Sequence, residues 1–140
     1  MKKKYVICGI FLIIAIAAVA VCLWYFSPVS FLQGVEDNSV SSISVFVGST
    51  GKRMVIEDRE EINIIVSNIQ SLKLKRNGFS FNHVGFSFSL SFKDKDGNVI
   101  DGIVIKNKDT ICDSQFFYKC ESGEICFAYL LELEDKYCAE

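Results

Sequence analysis

Histidine and proline occur only once each among the 140 residues, as His83 and Pro28. A single imidazole excludes metal sites built from several histidines and leaves His83 as the one candidate base of a serine–histidine–aspartate triad. His83 lies beside Asn82, just before a predicted strand. That position favours a loop residue over a catalytic base. The phosphate-binding patterns G-x-x-x-x-G-K-[ST] and G-x-G-x-x-G are absent, as is the nucleophile motif G-x-S-x-G. These absences disfavour the common enzyme classes.

One long stretch has no charged residue: it comprises the 22 residues from Tyr5 to Phe26 and follows three lysines at positions 2–4. An α-helix of about 20 residues crosses the core of a bilayer. Trp24 and Tyr25 lie where interfacial aromatic residues are expected, and the preceding lysines predict a cytoplasmic N-terminus. We therefore predict an uncleaved transmembrane anchor at residues 1–26. The lipid bilayer is its partner through residues 5–26, and the remainder lies outside the cell.

A cleaved secretory signal is the alternative for the same stretch. The basic start and the sequence Ala18–Val19–Ala20 fit cleavage after Ala20. The apolar run continues from there to Phe26, which is long for a signal peptide and favours the anchor. Lipid attachment through Cys22 is a weaker alternative, because Val21 stands where a small residue is expected.

Acidic residues are absent before Glu36, whereas the chain from Val29 onward carries 12 basic and 17 acidic residues, a net charge of −5. That balance disfavours a nucleic-acid partner, which requires a basic face. About 100 residues remain after the apolar segment, enough for one domain. We predict a linker at residues 27–39 and a single extracytoplasmic domain at residues 40–140.

The domain shows alternating strand and helix patterns. β-Branched and turn residues predict a hairpin of 42–47 and 52–57. Apolar residues at helical spacing follow the capping residue Asp58 and predict a helix over 59–72. A second helix is predicted over 124–137, with strands at 85–92 and 99–106 and one or two more within 110–120. The predicted fold class is α+β: the apolar helix, then an antiparallel sheet with one helix packed on a face and a C-terminal helix.

The strand over 85–92 has the clearest pattern, because serine alternates with apolar residues from Phe86 to Phe92. A period of two places one side chain set in the core and the other in solvent. We expect Phe86, Phe88, Leu90 and Phe92 to face the helix over 59–72. The opposite side chains, Ser87, Ser89 and Ser91, would then form a flat polar contact face.

Four cysteines of the domain, Cys112, Cys120, Cys126 and Cys138, predict two disulfides if the domain lies outside the cell. A zinc site is disfavoured because no C-x-x-C pair occurs. A helix over 124–137 separates Cys126 from Cys138 by about 18 Å, too far for a bond. Two pairings remain open, Cys112–Cys138 with Cys120–Cys126 or Cys112–Cys126 with Cys120–Cys138; the first is favoured because Cys120 and Cys126 flank a short bend.

The stretch Glu57–Asp58–Arg59–Glu60–Glu61–Ile62 and the serine–aromatic strand lie behind a basic N-terminal anchor. In this order of elements the chain resembles the small uncharacterised anchored or lipoprotein domains of low-GC Gram-positive bacteria. The resemblance covers about 100 residues, and the lipid-attachment motif common in those relatives is missing here. It implies no known activity and no site residues.

Two function classes follow from these patterns. The favoured one is a non-catalytic module that binds another envelope protein or a peptide, with no metal and no cofactor. The alternative is a small redox, thiol or hydrolytic enzyme that uses Cys126 or His83. Function must be argued from a site, and the reactivity of Cys126 separates the two classes.

Overall fold

The structure is a computed structural model that describes residues 2–36, 38–81 and 84–138. It begins with the helix α1, Lys2–Phe26. Within α1, the stretch Lys4–Phe26 is long and apolar enough to cross a membrane, a property that signal sequences share, and none of its most apolar window is buried. Pro28 follows the helix end, where its missing N–H group disfavours continuation.

The domain contains seven strands and two helices among the described residues. They are β1 (Ser42–Val47), β2 (Arg53–Ile56), α2 (Arg59–Ser71), β3 (Lys73–Phe79), β4 (Phe88–Lys93), β5 (Val99–Asn107), β6 (Thr110–Cys112), β7 (Phe116–Ser122) and α3 (Phe127–Cys138). All pairings are antiparallel within one sheet of order β2-β1-β4-β5-β6-β7-β3. The predicted α+β class, with an antiparallel sheet, an N-terminal apolar helix and a C-terminal helix, is confirmed.

The helix α2 starts where the capping pattern predicts. The side chain of Asp58 accepts hydrogen bonds from the backbone N–H groups of Glu60 and Glu61, at 2.9 and 3.1 Å. These bonds satisfy two N–H groups that a helix start leaves without intrahelical partners. The helix then carries the chain from β2, at one edge of the sheet, to β3, at the other edge.

One face of the sheet holds the core. Phe88, Leu90 and Phe92 alternate inward along β4 and are almost completely buried, as predicted. The same core cluster includes residues of both helices: Ile62, Ile65, Val66, Ile69, Leu130 and Leu133. The Phe88 ring meets Phe127 of α3 edge-on, with 5.5 Å between the ring centroids. Both helices therefore cover the same side of the sheet.

Polar contacts join the two helices at both of their ends. The nearly buried carboxylate of Glu61 accepts hydrogen bonds from Lys136 Nζ at 2.6 Å and from the Tyr137 hydroxyl at 2.8 Å. At the other end, Asn68 donates to the Glu124 carbonyl and accepts from the Cys126 N–H group. This second contact fixes the residues before α3, so the helix begins at Phe127 and not at the predicted position 124.

Two predictions for the sheet are corrected. The strand β3 was not predicted, and it forms the edge beside β7. Phe86 lies outside β4, which begins at Phe88, and its ring contacts Phe46 on the side away from the helices, at 5.9 Å between centroids. The expectation that Phe86 faces α2 is therefore wrong, because the alternation does not extend into the loop before the strand.

The described part of the predicted linker lies against the domain through Val29, Leu32 and Val35. Val29 pairs with Leu74 of β3 in an isolated antiparallel bridge, and Leu32 is buried in the core. The Gln70 side chain donates to the carbonyls of Leu32 and Val35 at 3.0 and 2.9 Å. These contacts attach the segment to α2 and β3. The chain that connects α1 to the domain is therefore packed against the domain.

Candidate functional site

The second face of the sheet carries no helix among the described residues. Its side chains follow from the register: Ser44 of β1 lies between Val55 of β2 and Ser91 of β4, and Ser91 lies opposite Gly102 of β5. We call this surface the open face. Antiparallel sheets commonly expose one face to solvent, and the polar alternation of β4 places its serines here.

A shallow groove of about 420 Å³ crosses the open face over β2, β1 and β4. Its walls combine hydroxyl groups, aromatic rings and one guanidinium group. The residues whose side chains line it are Ser44, Phe46, Arg53, Val55, Phe86, Ser89 and Ser91. The Arg53 guanidinium lies 5.3 Å from the centroid of the Phe46 ring. The groove can therefore accept apolar and anionic groups side by side.

One wall of the groove depends on a close backbone approach. Gly48 donates a hydrogen bond to the Ser87 carbonyl at 2.8 Å. A Cβ atom added to Gly48 would lie only 2.1 Å from the Phe86 carbonyl oxygen. Glycine at position 48 therefore lets the loop before β4 approach the end of β1, and this approach brings the Phe86 ring onto Phe46.

Basic side chains occupy further strand positions of the open face. Lys106 Nζ lies 4.7 Å from the centroid of the Phe117 ring, and Lys119 follows two residues later on β7. Lys75 of β3 lies opposite Lys119 and pairs with Glu121 at 3.3 Å. Together with Arg53, these side chains place four basic groups on the open face. The face therefore favours an acidic partner.

A strand with one unpaired edge borders the groove. β2 is an edge strand that pairs only with β1 in the sheet order. The Val47 N–H group donates to the Lys52 carbonyl at 2.9 Å, and hydrogen bonding alternates along an antiparallel pair. The backbone groups of Arg53 and Val55 consequently point away from β1. An edge of this kind can pair with an extended segment of another chain.

Of the three predicted contact serines, Ser89 and Ser91 lie on the open side of β4, whereas Ser87 lies in the loop before the strand. Ser89 and Ser91 contribute to the floor of the groove. Ser87 instead donates its hydroxyl to the Lys106 carbonyl at 2.9 Å, which ties the start of β4 to β5. Sequence alternation could not separate these roles, because all three serines share the same pattern.

The predicted disulfides are not present: all six cysteines are free. Both pairings left open required Cys112 to bond a cysteine beside or within α3. Cys112 follows the buried Ile111 and points to the open face, whereas Cys126 is buried on the helix side. The Cys120 thiol points to the carbonyls of Ser122 and Gly123, both at 3.4 Å. The sheet separates Cys112 from both of its predicted partners, Cys126 and Cys138.

Cys126, the thiol that the alternative enzyme function would use, precedes the first residue of α3 and is buried. Burial raises the pKa of its thiol from 9.0 to about 11. Desolvation by burial disfavours the charged thiolate and is the main cause of this increase. A buried, protonated thiol is a poor nucleophile at neutral pH.

Alkylation kinetics test this assignment of Cys126. A pKa of about 11 in place of 9.0 leaves about a hundredfold less thiolate near pH 8. We expect Cys126 in the folded protein to react with iodoacetamide at least about a hundredfold more slowly than in urea, measured by mass spectrometry of its peptide. Equal rates in both states would contradict the burial and favour the thiol-enzyme alternative.

No cluster of three or more metal-binding side chains occurs within residues 2–36, 38–81 and 84–138. His83, the candidate base, lies outside the described residues. Comparison with known protein families, with curated proteins and with solved structures finds no match to this chain.

Proposed function

We propose that the chain is a single-pass membrane protein whose extracytoplasmic domain binds a partner without catalysing a reaction. The observation that carries the binding role is the groove on the open face, bounded by an unpaired strand edge. The anchored role is supported by α1, whose exposed apolar surface requires a nonpolar environment. The resemblance to anchored domains of low-GC Gram-positive bacteria stays a prediction.

The proposed partner is an extended, acidic segment of another envelope protein. Pairing with the outward backbone groups of Arg53 and Val55 would add a strand to the sheet, a common mode of peptide recognition. Side chains of the added strand would then alternate toward the groove. There a carboxylate would meet Arg53 and an apolar group would meet Phe86.

Protease accessibility tests the orientation. A recognition site for a sequence-specific protease is inserted in the turn between β4 and β5, after Lys95, where the backbone is exposed. We expect added protease to cut this site in intact cells, because lysines before the span hold the N-terminus inside. The same site placed before Lys2 is the control and should be cut only after lysis. The opposite result would refute the proposed orientation.

Photocrosslinking tests the groove. A photoreactive amino acid at Val55 should give one discrete adduct with an envelope protein in intact cells. Ile64, on the helix side, is a matched control because it and Val55 have the same 49% exposure. Replacing Ser89 and Ser91 with glutamate should reduce the adduct at least about tenfold, because two carboxylates in the groove repel an acidic segment.

The matched control for added charge replaces Ser67 and Ser71 with glutamate, since both are exposed on α2. This variant should retain the adduct. Retention of the adduct by the Ser89→Glu, Ser91→Glu variant would exclude the groove, and equal adducts from positions 55 and 64 would indicate nonspecific contact.

A further inference from the structure

Exposed aromatic residues surround the place where α1 meets the domain. Phe79, at the end of β3, is 63% exposed and Phe81 is 66% exposed, and their rings stack with 5.9 Å between centroids. Phe79 also contacts Phe116 at 5.1 Å, and Phe116 contacts Trp24 of α1 at 6.0 Å. Trp24, Phe79 and Phe81 form the exposed surface that we call the aromatic rim, and the buried Phe116 ring lies between Phe79 and Trp24.

The direction of β3 gives the level of the rim relative to α1. Val29 pairs with Leu74, whereas the Tyr25 hydroxyl accepts a hydrogen bond from the Gly78 N–H group at 3.2 Å. Tyr25 lies four residues before Val29, and Gly78 lies four residues after Leu74. The chain that leads back to α1 and the strand β3 therefore run side by side in opposite directions. Phe79 consequently lies level with the last turn of α1, and the Phe81 ring stacks on it.

The last turn of α1 has a defined depth if the helix crosses a bilayer. Its uncharged run of 22 residues spans about 33 Å, close to the roughly 30 Å of a hydrocarbon core. Trp24 then lies at the interface, the region where aromatic side chains are enriched. Phe79 is joined to Trp24 through the Phe116 ring. The two phenylalanines of the rim would therefore lie at the same depth as Trp24.

The connection between rim and α1 is held by Arg76. Its Nη1 atom donates to the carbonyls of Trp24 and Ser27 at 2.9 and 3.3 Å, and its guanidinium lies 4.3 Å from the Trp24 ring centroid. A cation at a helix C-terminus is favoured by the helix dipole. These contacts restrict rotation of the domain about α1. They thereby fix the orientation of the aromatic rim relative to the helix.

The side chains beside the rim also fit a lipid surface. A pocket of about 410 Å³ next to Tyr25 and Phe26 is lined by Lys75, Arg76 and Lys119. Basic groups near an anionic bilayer surface are attracted to lipid headgroups. Aromatic side chains flanked by cations thus occur together at the end of α1.

We propose that the aromatic rim inserts into the outer interfacial layer of the bilayer that holds α1, so that the β3 edge of the domain rests on the membrane. This inference depends on the proposed membrane span. It places β2 about six strand spacings, or roughly 29 Å, from the β3 edge. The groove is then presented away from the lipid, toward other envelope proteins.

Fluorescence quenching in vesicles tests the rim. The full-length protein is reconstituted in phosphatidylcholine vesicles whose acyl chains carry bromine near the headgroup. Native Trp24 reports the depth of α1. In a Trp24→Phe background, the indole is moved to the rim with Phe79→Trp, or to the distal edge with Val55→Trp, an exposed site on β2.

We expect the indole at position 79 to be quenched at least about half as strongly as native Trp24, and the indole at position 55 to be almost unquenched. Quenching of Trp24 without quenching at position 79 would overturn the rim but retain the span. No quenching of Trp24 would overturn both the span and the rim. Equal quenching at positions 55 and 79 would overturn the proposal that the β3 edge, and not the β2 edge, rests on the membrane.

Discussion

Replacing Phe88 with alanine is expected to lower the free energy of unfolding of the domain by about 3–5 kcal/mol. Phe88 is 1% exposed, lies on the interior strand β4 and is in edge-on contact with Phe127 of α3. Removing the ring leaves a cavity between β4 and the helix layer. Because domains of this size are stable by only about 5–15 kcal/mol, the variant should lose much of its stability.

Urea denaturation of the full-length protein in a mild detergent measures this loss through near-ultraviolet circular dichroism. The matched control is Phe81→Ala, which removes the same ring from a site that is 66% exposed. That variant should remain within about 0.5 kcal/mol of the native protein. Equal unfolding midpoints for Phe88→Ala and the native protein would show that β4 does not face the core.

The periodicity of the sequence predicted the elements whose folding depends on nearby residues. Alternation along β4 located Phe88, Leu90 and Phe92 correctly, because a period of two acts within a single strand. Asp58 marked the start of α2, because the capping bonds join residues two and three positions apart. Both features can be derived without knowledge of the rest of the chain.

β3 could not be predicted in the same way. Its sequence is KLKRNGF, in which Leu74 is the one fully buried side chain. Strand formation here depends on pairing with β7, whose partner residues lie 37 to 49 positions later, and on the bridge between Leu74 and Val29. Such long-range pairing leaves no local pattern when a strand lies at an edge and is rich in basic residues.

The candidate site was predicted in part. Ser89 and Ser91 lie on the predicted polar face, but the aromatic wall that makes this face a groove was missed. Phe86 was assigned to the core by extending the alternation of β4 too far toward the N-terminus. Its position depends instead on Gly48, which is distant in sequence and allows two backbone segments to touch.

Replacing Gly48 with alanine is therefore expected to damage stability and binding together. The new Cβ atom would lie 2.1 Å from the Phe86 carbonyl oxygen, a backbone atom that cannot move without its segment. The hydrogen bond from Gly48 to the Ser87 carbonyl would be lost as the segments separate. We expect a loss of about 1–3 kcal/mol in the free energy of unfolding, together with a displaced Phe86 and a weaker crosslink from Val55.

Gly102→Ala is the matched control, because Gly102 lies on the same open face opposite Ser91. A Cβ atom there would meet the Leu90 carbonyl oxygen at 3.6 Å, an ordinary contact. Since glycine weakens a strand interior, this variant should be neutral or more stable by up to about 1 kcal/mol and should retain the crosslink. If Gly48→Ala matched Gly102→Ala in both stability and crosslinking, the loop before β4 would not hold Phe86 against β1, and the groove would lack its aromatic wall.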